Sequence, residues 1–231
     1  MKKHSILEGP SSERRDEFLA AVARSLKLYR HWARPPQTTK EFTDHLKRLQ
    51  SRAHLTYWVC TEDGELAGVI NINEIVRGLF RSGYLGYYAF VPHNGRGYMK
   101  KGLRAVLEDA FRRQRLHRLE ANIQPDNEAS RQLVKGCGFR LEGFSPRYLK
   151  VAGRWRDHER WAITVEEWKG QVRKPDKQGS KDSRFFNTGE NFCAMVRARP
   201  PKEAGRLVRE HEADPRTINL PRKDDDHDYS W

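Results

Sequence analysis

The most constraining stretch of the chain is Tyr84-Leu85-Gly86-Tyr87-Tyr88-Ala89-Phe90-Val91, which leads into Pro92-His93-Asn94-Gly95-Arg96-Gly97-Tyr98-Met99 and then into a helical pattern reaching about Gln114. The first part is rich in aromatic and apolar residues and predicts a strand over about Gly83–Val91. In the last part Met99, Leu103, Val106, Leu107, Ala110 and Phe111 recur at helical spacing, with lysines and arginines on the other face. A strand that feeds a glycine loop and a helix N-terminus makes an anion site, because first-turn amides lack intrahelical partners and the helix dipole adds partial positive charge. Gly95 and Gly97 let the backbone approach a phosphate with no Cβ in the way. Arg96, Lys100 and Lys101 add charge around it. Glycines before helices are also ordinary turn residues, so Gly-x-Gly alone is not decisive. Two nucleotide folds are disfavoured: a dinucleotide fingerprint wants a third glycine where Lys100 stands, and a Walker loop wants Gly-Lys-Ser/Thr, which is absent.

The flanking patterns give the architecture. Glu13 to about Arg30 reads as a helix with Phe18, Val22, Leu26 and Tyr29 as its stripe. The segment 31–37, with Trp32, Pro35 and Pro36, reads as a loop. Thr38-Thr39-Lys40-Glu41 has capping-box form and opens a second helix with Phe42, Leu46 and Leu49 on its apolar side. Strands are expected at Leu55–Thr61 and Leu66–Asn73 around the turn Asp63-Gly64, then at His117–Ile123. Pro125-Asp126-Asn127 starts a short helix ending near Gly136–Gly138. Phe139–Lys150 and Arg154–Val165 form two further strands joined at Ala152-Gly153. The order predicts an α/β (α+β) fold, a mixed twisted sheet flanked by helices.

Composition narrows the context. The net charge of +13 is uneven: residues 171–231 hold 13 basic and 11 acidic residues, leaving +11 on the rest. A basic folded domain suits anionic partners such as a polyphosphate, nearby ribosomal RNA or an acidic peptide, though a basic surface also serves solubility alone. Apolar periodicity in 171–231 is too sparse to bury a core, which divides the chain into a globular domain over 1–170 and a charged, flexible tail over 171–231. No apolar run approaches the ~20 residues needed to cross a bilayer, and the N-terminus lacks the apolar stretch of a signal peptide. Cys60, Cys137 and Cys193 are few, odd in number and far apart, which argues for a reducing compartment, the cytoplasm, and against a zinc site. Cys137 stands at a helix exit between two glycines and reads as structural. His93, His117 and His158 are too separated to imply a metal, and no metal is expected.

Asn127 and Ser130 lie three residues apart at a helix start and share a face. From spacing alone Asn127 is equally a natural N-cap, with Ser130 a satisfied first-turn residue. The ordered set strand, Asn-Gly-Arg-Gly-Tyr-Met, helix, strand, Pro-Asp-Asn-Glu-Ala-Ser, short helix and Gly-Cys-Gly-Phe resembles the GCN5-related N-acetyltransferases. Within them it looks like the RimJ/RimL branch, the ribosomal-protein-alanine N-acetyltransferases. That likeness is carried by Val76-Arg77-Gly78, Tyr84-Leu85-Gly86-Tyr87, Leu116-His117-Arg118, Asn127 with Ser130, and Gly153-Arg154-Trp155-Arg156-Asp157-His158. It covers about residues 74–165, is looser over 1–70, and does not extend to 171–231.

The resemblance implies a sheet that splays open to admit the pantetheine arm of acetyl-coenzyme A. The co-substrate would lie on Phe90, Val91, Asn94, Gly95, Arg96, Gly97, Tyr98 and Met99, with Asn127 and Ser130 beside the arm. A backbone amide near Phe90–Val91 would stabilise the oxyanion, and the Ser130 hydroxyl would protonate the leaving thiolate. The branch's usual Gln/Arg three residues before the first glycine is Pro92, and the glutamate of RimL-like enzymes is Leu149. Glu120 is the substitute general base, with Glu74 and Asp157 behind it; each also reads as a surface carboxylate, and a water relay is equally consistent. The acceptor is expected to be a protein N-terminus of the ribosomal-protein type, or else a small amine, chosen by the loop Trp32–Gln37. Monomer and homodimer are both compatible, and no nucleic-acid role is required. A rival reading keeps the coenzyme fold without turnover and uses the basic surface on RNA or ribosomes.

Overall fold

The computed structural model describes residues 6–29 and 32–172; the segment 171–231 expected as a tail lies, from 173 onward, outside the described residues. Seven strands form one sheet in the order β1-β2-β3-β4-β5-β7-β6. These are β1 (Leu7–Glu8), β2 (Leu55–Cys60), β3 (Leu66–Val76), β4 (Ser82–Ala89), β5 (Arg118–Ile123), β6 (Arg140–Val151) and β7 (Arg154–Thr164). All neighbours are antiparallel except β4 and β5. That one parallel pair requires a crossover. It is made by α3 (Tyr98–Glu108) and a π-helical turn, Asp109–Arg113.

Helices α1 (Arg15–Tyr29) and α2 (Thr39–Arg48) cover one face. The Thr38–Glu41 capping box is formed as the sequence requires. Beneath these helices Phe18 lies 5.1 Å from Phe42, 5.6 Å from Trp58 and 5.8 Å from Phe90 between ring centroids, and all four rings are buried. Removing such a ring costs about 3–5 kcal/mol. On the opposite face α3 approaches β2 closely at Gly102, where a Cβ would stand 2.6 Å from Val59 Cγ2. The π-helical turn is held by a buried carboxylate: Asp109 Oδ2 accepts Tyr57 Oη at 2.6 Å and Gln114 Nε2 at 3.2 Å.

Three elements depart from the sequence expectation. Leu26 is 44% exposed, and Ser25 takes its place in the buried stripe of α1. The expected helix to Gln114 leaves α-geometry at Asp109, the residue whose carboxylate accepts the buried Tyr57 hydroxyl. A fifth helix, α5 (Val165–Val172), follows β7 directly; its Trp168 packs on Phe111 at 5.6 Å with the Arg112 guanidinium 5.4 Å over the ring.

Candidate active site

The site begins where β4 and β5 separate. They pair only from Ser82 to Tyr84 and from Arg118 to Glu120, after which β4 runs on to Ala89 and β5 to Ile123 without a ladder between them. The gap becomes a cleft floored by residues 84–87 of β4, residues 121–123 of β5 and Gln124 just beyond it. Trp32 and Ala33 from the α1–α2 loop, Leu149 and Val151 from β6, and His158 from β7 form its walls. Asn127 and Ser130, at the start of α4 (Glu128–Lys135), complete it. Trp32 Nε1 donates to Asp126 Oδ1 at 3.2 Å, so the loop expected to choose the acceptor is pinned across the cleft mouth.

Antiparallel alternation decides which amides face the gap. Phe90 N donates to Ala67 O at 2.8 Å, which makes alternate residues of β4 point their amides at β3. The amides of Tyr87 and Ala89 therefore face the side that β5 has left. Of the amides near Phe90–Val91, where the oxyanion donor is expected, that of Ala89 is the one left facing the cleft. The Phe90 ring is fully buried in the aromatic core with its amide committed to β3, and Val91 N donates to Ser25 Oγ at 2.9 Å. Of the remaining loop residues, Asn94, Gly95, Arg96 and Gly97 are exposed. Met99 turns inward onto β3, where its Sδ leaves no room for a Cβ on Gly68.

The loop has the features an anion needs. Gly95 and Gly97 have φ of 75° and 84°, and a Cβ on either would meet nothing within 4 Å. Gly97 is the N-cap of α3 and supplies no side-chain cap, so the first-turn amides are left for a ligand. Tyr98, Arg96 and Lys100 surround that turn. A coenzyme pyrophosphate fits these groups. Asn127 is an N-cap as well: its Oδ1 accepts Ser130 N at 3.2 Å, which leaves its Nδ2 for the cleft. Ser130 O accepts Tyr87 Oη at 3.4 Å, and the Ser130 side chain also lies within hydrogen-bonding reach of the Tyr87 phenol. Burial pushes the Tyr87 and Tyr84 hydroxyls above their ordinary pKa, so both stay protonated at neutral pH.

The expected bases lie elsewhere. Glu120 is not among the cleft-lining residues, and its Oε1 accepts Arg118 Nε at 2.8 Å. Arg118 is also bound to Glu142, which joins Arg140 and through it Glu167 in a chain of ion pairs along the sheet. Glu74 is exposed at the β3 bulge, and Asp157 Oδ1 accepts Arg147 N at 2.7 Å in the β6–β7 ribbon. One lining residue was overlooked as a site group: His158, 3% exposed, with Nδ1 2.9 Å from Arg156 O. Period-two alternation from Asn122 along the paired strands was the available signal, but only the register shows which rung it meets. Cys137 is buried with a raised pKa from desolvation, and among the described residues no group of three or more His, Cys, Asp or Glu is placed to hold a metal.

The comparisons with known proteins agree with this geometry. The model of the acetyltransferase (GNAT) domain matches residues 5–140, more than half of the chain. The probable N-acetyltransferase YjcK of Bacillus subtilis (strain 168) is 33% identical over 54% of this chain and 69% of its own length. The ribosomal protein uS5-alanine N-acetyltransferase of Escherichia coli (strain K12) is 38% identical over 46% of this chain, and the match spans 55% of that enzyme. Mycobacterium smegmatis RimJ, solved in complex with CoA-disulfide, superposes with a TM-score of 0.64 at 27% identity, covering 70% of this chain and 82% of the other. The chain belongs to the GNAT acetyltransferase family and is an acetyl-CoA-dependent N-acetyltransferase.

Proposed function

We propose that this enzyme acetylates the α-amine of a protein N-terminus, of the ribosomal-protein type, in the cytoplasm, by direct transfer with both substrates bound together. The observation that favours the acceptor class is that no Asp or Glu is among the residues lining the cleft, the nearby carboxylates Asp126 and Glu120 being bonded to Trp32 and Arg118. A polyamine brings several positive charges that need carboxylates nearby, whereas an N-terminal amine brings one charge and is reactive only after losing it. The walls of Trp32, Ala33, Leu149 and Val151 offer apolar contact to the first side chain behind such an amine.

In this reading the α3 N-terminus and the Gly95–Gly97 backbone hold the pyrophosphate, and the outward amides of Tyr87 and Ala89 hold the arm and the carbonyl oxygen. Asn127 Nδ2 reaches the arm from the far side. The Ser130 hydroxyl supplies a proton to the departing sulfur. Glu120 is left out of the reacting groups, because its carboxylate is committed to Arg118 and lies off the cleft. No protein nucleophile is needed when proximity brings amine and thioester together.

The test is thiol release from acetyl-coenzyme A across a panel of acceptors: peptides with N-terminal alanine or serine, spermidine, and an aminoglycoside. Release with peptides that exceeds release with polyamines at equal concentration is expected. The opposite order moves the acceptor to small amines, and tight coenzyme binding without acceptor-dependent release overturns the transfer reading.

A further inference from the structure

We propose that His158 is the catalytic proton acceptor for the attacking amine, an inference that rests on the transfer reading above. The placement comes from strand register. The last rung between β5 and β7 pairs Ile123 with Glu159, so His158 stands beside the end of β5, where the chain turns through Gln124 towards Asn127. The ring thus faces the cleft with Asn127 and Ser130, although only 3% of the residue is exposed.

Its hydrogen bonding fixes the tautomer. Nδ1 lies 2.9 Å from the Arg156 carbonyl oxygen, which can only accept, so Nδ1 carries the hydrogen. In the neutral ring Nε2 is then a bare lone pair. No described group donates to Nε2, and it is not among the buried atoms sealed without a partner, as Asn122 Oδ1 is. It is open to the cleft. The other titratable lining groups, Tyr84 and Tyr87, keep their protons, and the lining has no carboxylate. Among them only the neutral imidazole of His158 offers a basic lone pair.

The surroundings keep it ready. Desolvation lowers its pKa below the ordinary histidine value, partly offset by the Arg156 carbonyl and by Asp157. From β6, Tyr148 meets the ring edge-on at 6.1 Å between centroids. From β5, Glu120, which faces Ala162 across the ladder, is bonded to Arg118; on β7 itself, Asp157 is bonded to Arg147 N, and Arg156 and Arg160 flank the ring in sequence. Across the mouth Asp126 is bonded to Trp32. No carboxylate is bonded to Nε2.

The step balances as follows. The amine lone pair forms the N–C bond, and the C–S bond breaks with its pair on sulfur. The nitrogen's proton passes to Nε2, the sulfur takes the Ser130 hydroxyl proton, and the imidazolium returns its proton to the Ser130 oxygen through solvent.

His158→Asn is the informative variant, because its amide nitrogen keeps a donor where Nδ1 stands but places no base at Nε2. General-base loss predicts kcat lower by about 10²–10⁴ with KM for acetyl-coenzyme A within about twofold. An N-terminal amine has a pKa of about 7.7–8.0 and free histidine about 6.5, so log kcat/KM of the unaltered enzyme should fall with slope one below the amine pKa and slope two below the His158 pKa. In His158→Asn the slope stays at one. A variant that keeps more than a tenth of kcat, or that keeps slope two, overturns the proposal. If the unaltered enzyme releases no thiol with any amine, the transfer reading fails by itself. Nitrogen-15 NMR of the coenzyme-loaded protein decides His158 separately: the neutral Nδ1–H tautomer at pH 7 supports it, and an Nε2–H or protonated ring overturns it.

Discussion

The Ser25 hydroxyl bridges two elements: it donates to Ala21 O at 2.7 Å and accepts Val91 N at 2.9 Å, so α1 holds the end of β4 just before the coenzyme loop. Ser25→Ala removes the acceptor and leaves a part-buried amide unpaired. Such a loss costs about 1–3 kcal/mol. Denaturant unfolding should show that decrease while kcat stays within about twofold. A tenfold change in kcat would bring the Val91 amide back into the reaction.

The same pair of residues shows what the sequence conceals. The strand, the glycine loop and α3 were legible because periodicity and backbone demands are local, and so was the capping box at Thr38. The stripe of α1 was read as Leu26 because Leu26 is apolar, yet Ser25 is the buried residue, satisfied by two bonds, one of them 66 residues distant. That partner is invisible to spacing. The pairing of Glu120 is concealed for a similar reason: it bonds Arg118, which also pairs with Glu142, 24 residues further on. His158 was visible as a residue, but its role follows from a strand register and one carbonyl contact.

Gly97 is where backbone freedom meets the ligand. With φ of 84° any side chain is strained, and a left-handed non-glycine residue costs about 1–2 kcal/mol. Coenzyme at one hundred times Kd should raise the unfolding free energy by about 2.7 kcal/mol. Gly97→Ala should lose stability by the strain alone and bind coenzyme more weakly. Gly97→Asp should lose nearly all the protection, since its charge meets the phosphates rather than any protein atom. Undiminished coenzyme affinity in folded Gly97→Asp, read by calorimetry, would remove the phosphates from this loop.

Ser130 offers a separation of chemistry from capping. The bond to Asn127 uses the Ser130 backbone N–H and survives Ser130→Ala. The melting temperature should therefore hold within a degree or two, while kcat falls and KM for acetyl-coenzyme A does not rise. A change in melting alone would leave Ser130 as a helix residue.

His45 should give the protein an acid limit of its own. It is 8% exposed, its Nδ1 faces Arg48 at 3.3 Å, its Nε2 is sealed without a partner, and desolvation pushes its pKa down to about 4. The folded pKa lies below the unfolded value of about 6.5, so the unfolded chain binds the proton first. Stability is intact above the unfolded value and falls as pH drops towards the folded one, by up to about 1.4 kcal/mol per unit. His158 contributes with the same sign. Carboxylates held down by arginines, such as Glu142 beside Arg118, add their loss only below the ordinary carboxylate range. Urea midpoints between pH 6.5 and 4.5 should therefore fall, and His45→Gln should flatten the slope without abolishing it.

The C-terminal boundary is the last expectation to carry a measurement. The sequence places the domain boundary at residue 170, because a single tryptophan in one turn gives no visible period. The α5 helix moves that boundary. Trp168 is 8% exposed against Phe111, and Thr164 N and Oγ1 both bond Glu167 Oε2, at 2.8 and 3.0 Å, so the first turn of α5 is tied to the end of β7. Ending at residue 170 would cut inside α5, and ending at Thr164 would remove the whole helix with the Trp168 ring. A chain ending at Val172 keeps all the strands and helices of the described residues. It should unfold cooperatively, be protected by coenzyme and transfer acetyl to a peptide at the rate of the whole chain. A chain ending at Thr164 should lose about 3–5 kcal/mol, the cost of a large aromatic deletion, and melt well below it. Equal stability of the two truncations would show that Trp168 contributes nothing to the core. Loss of coenzyme protection on ending at Val172 would place part of the working domain in residues 173–231.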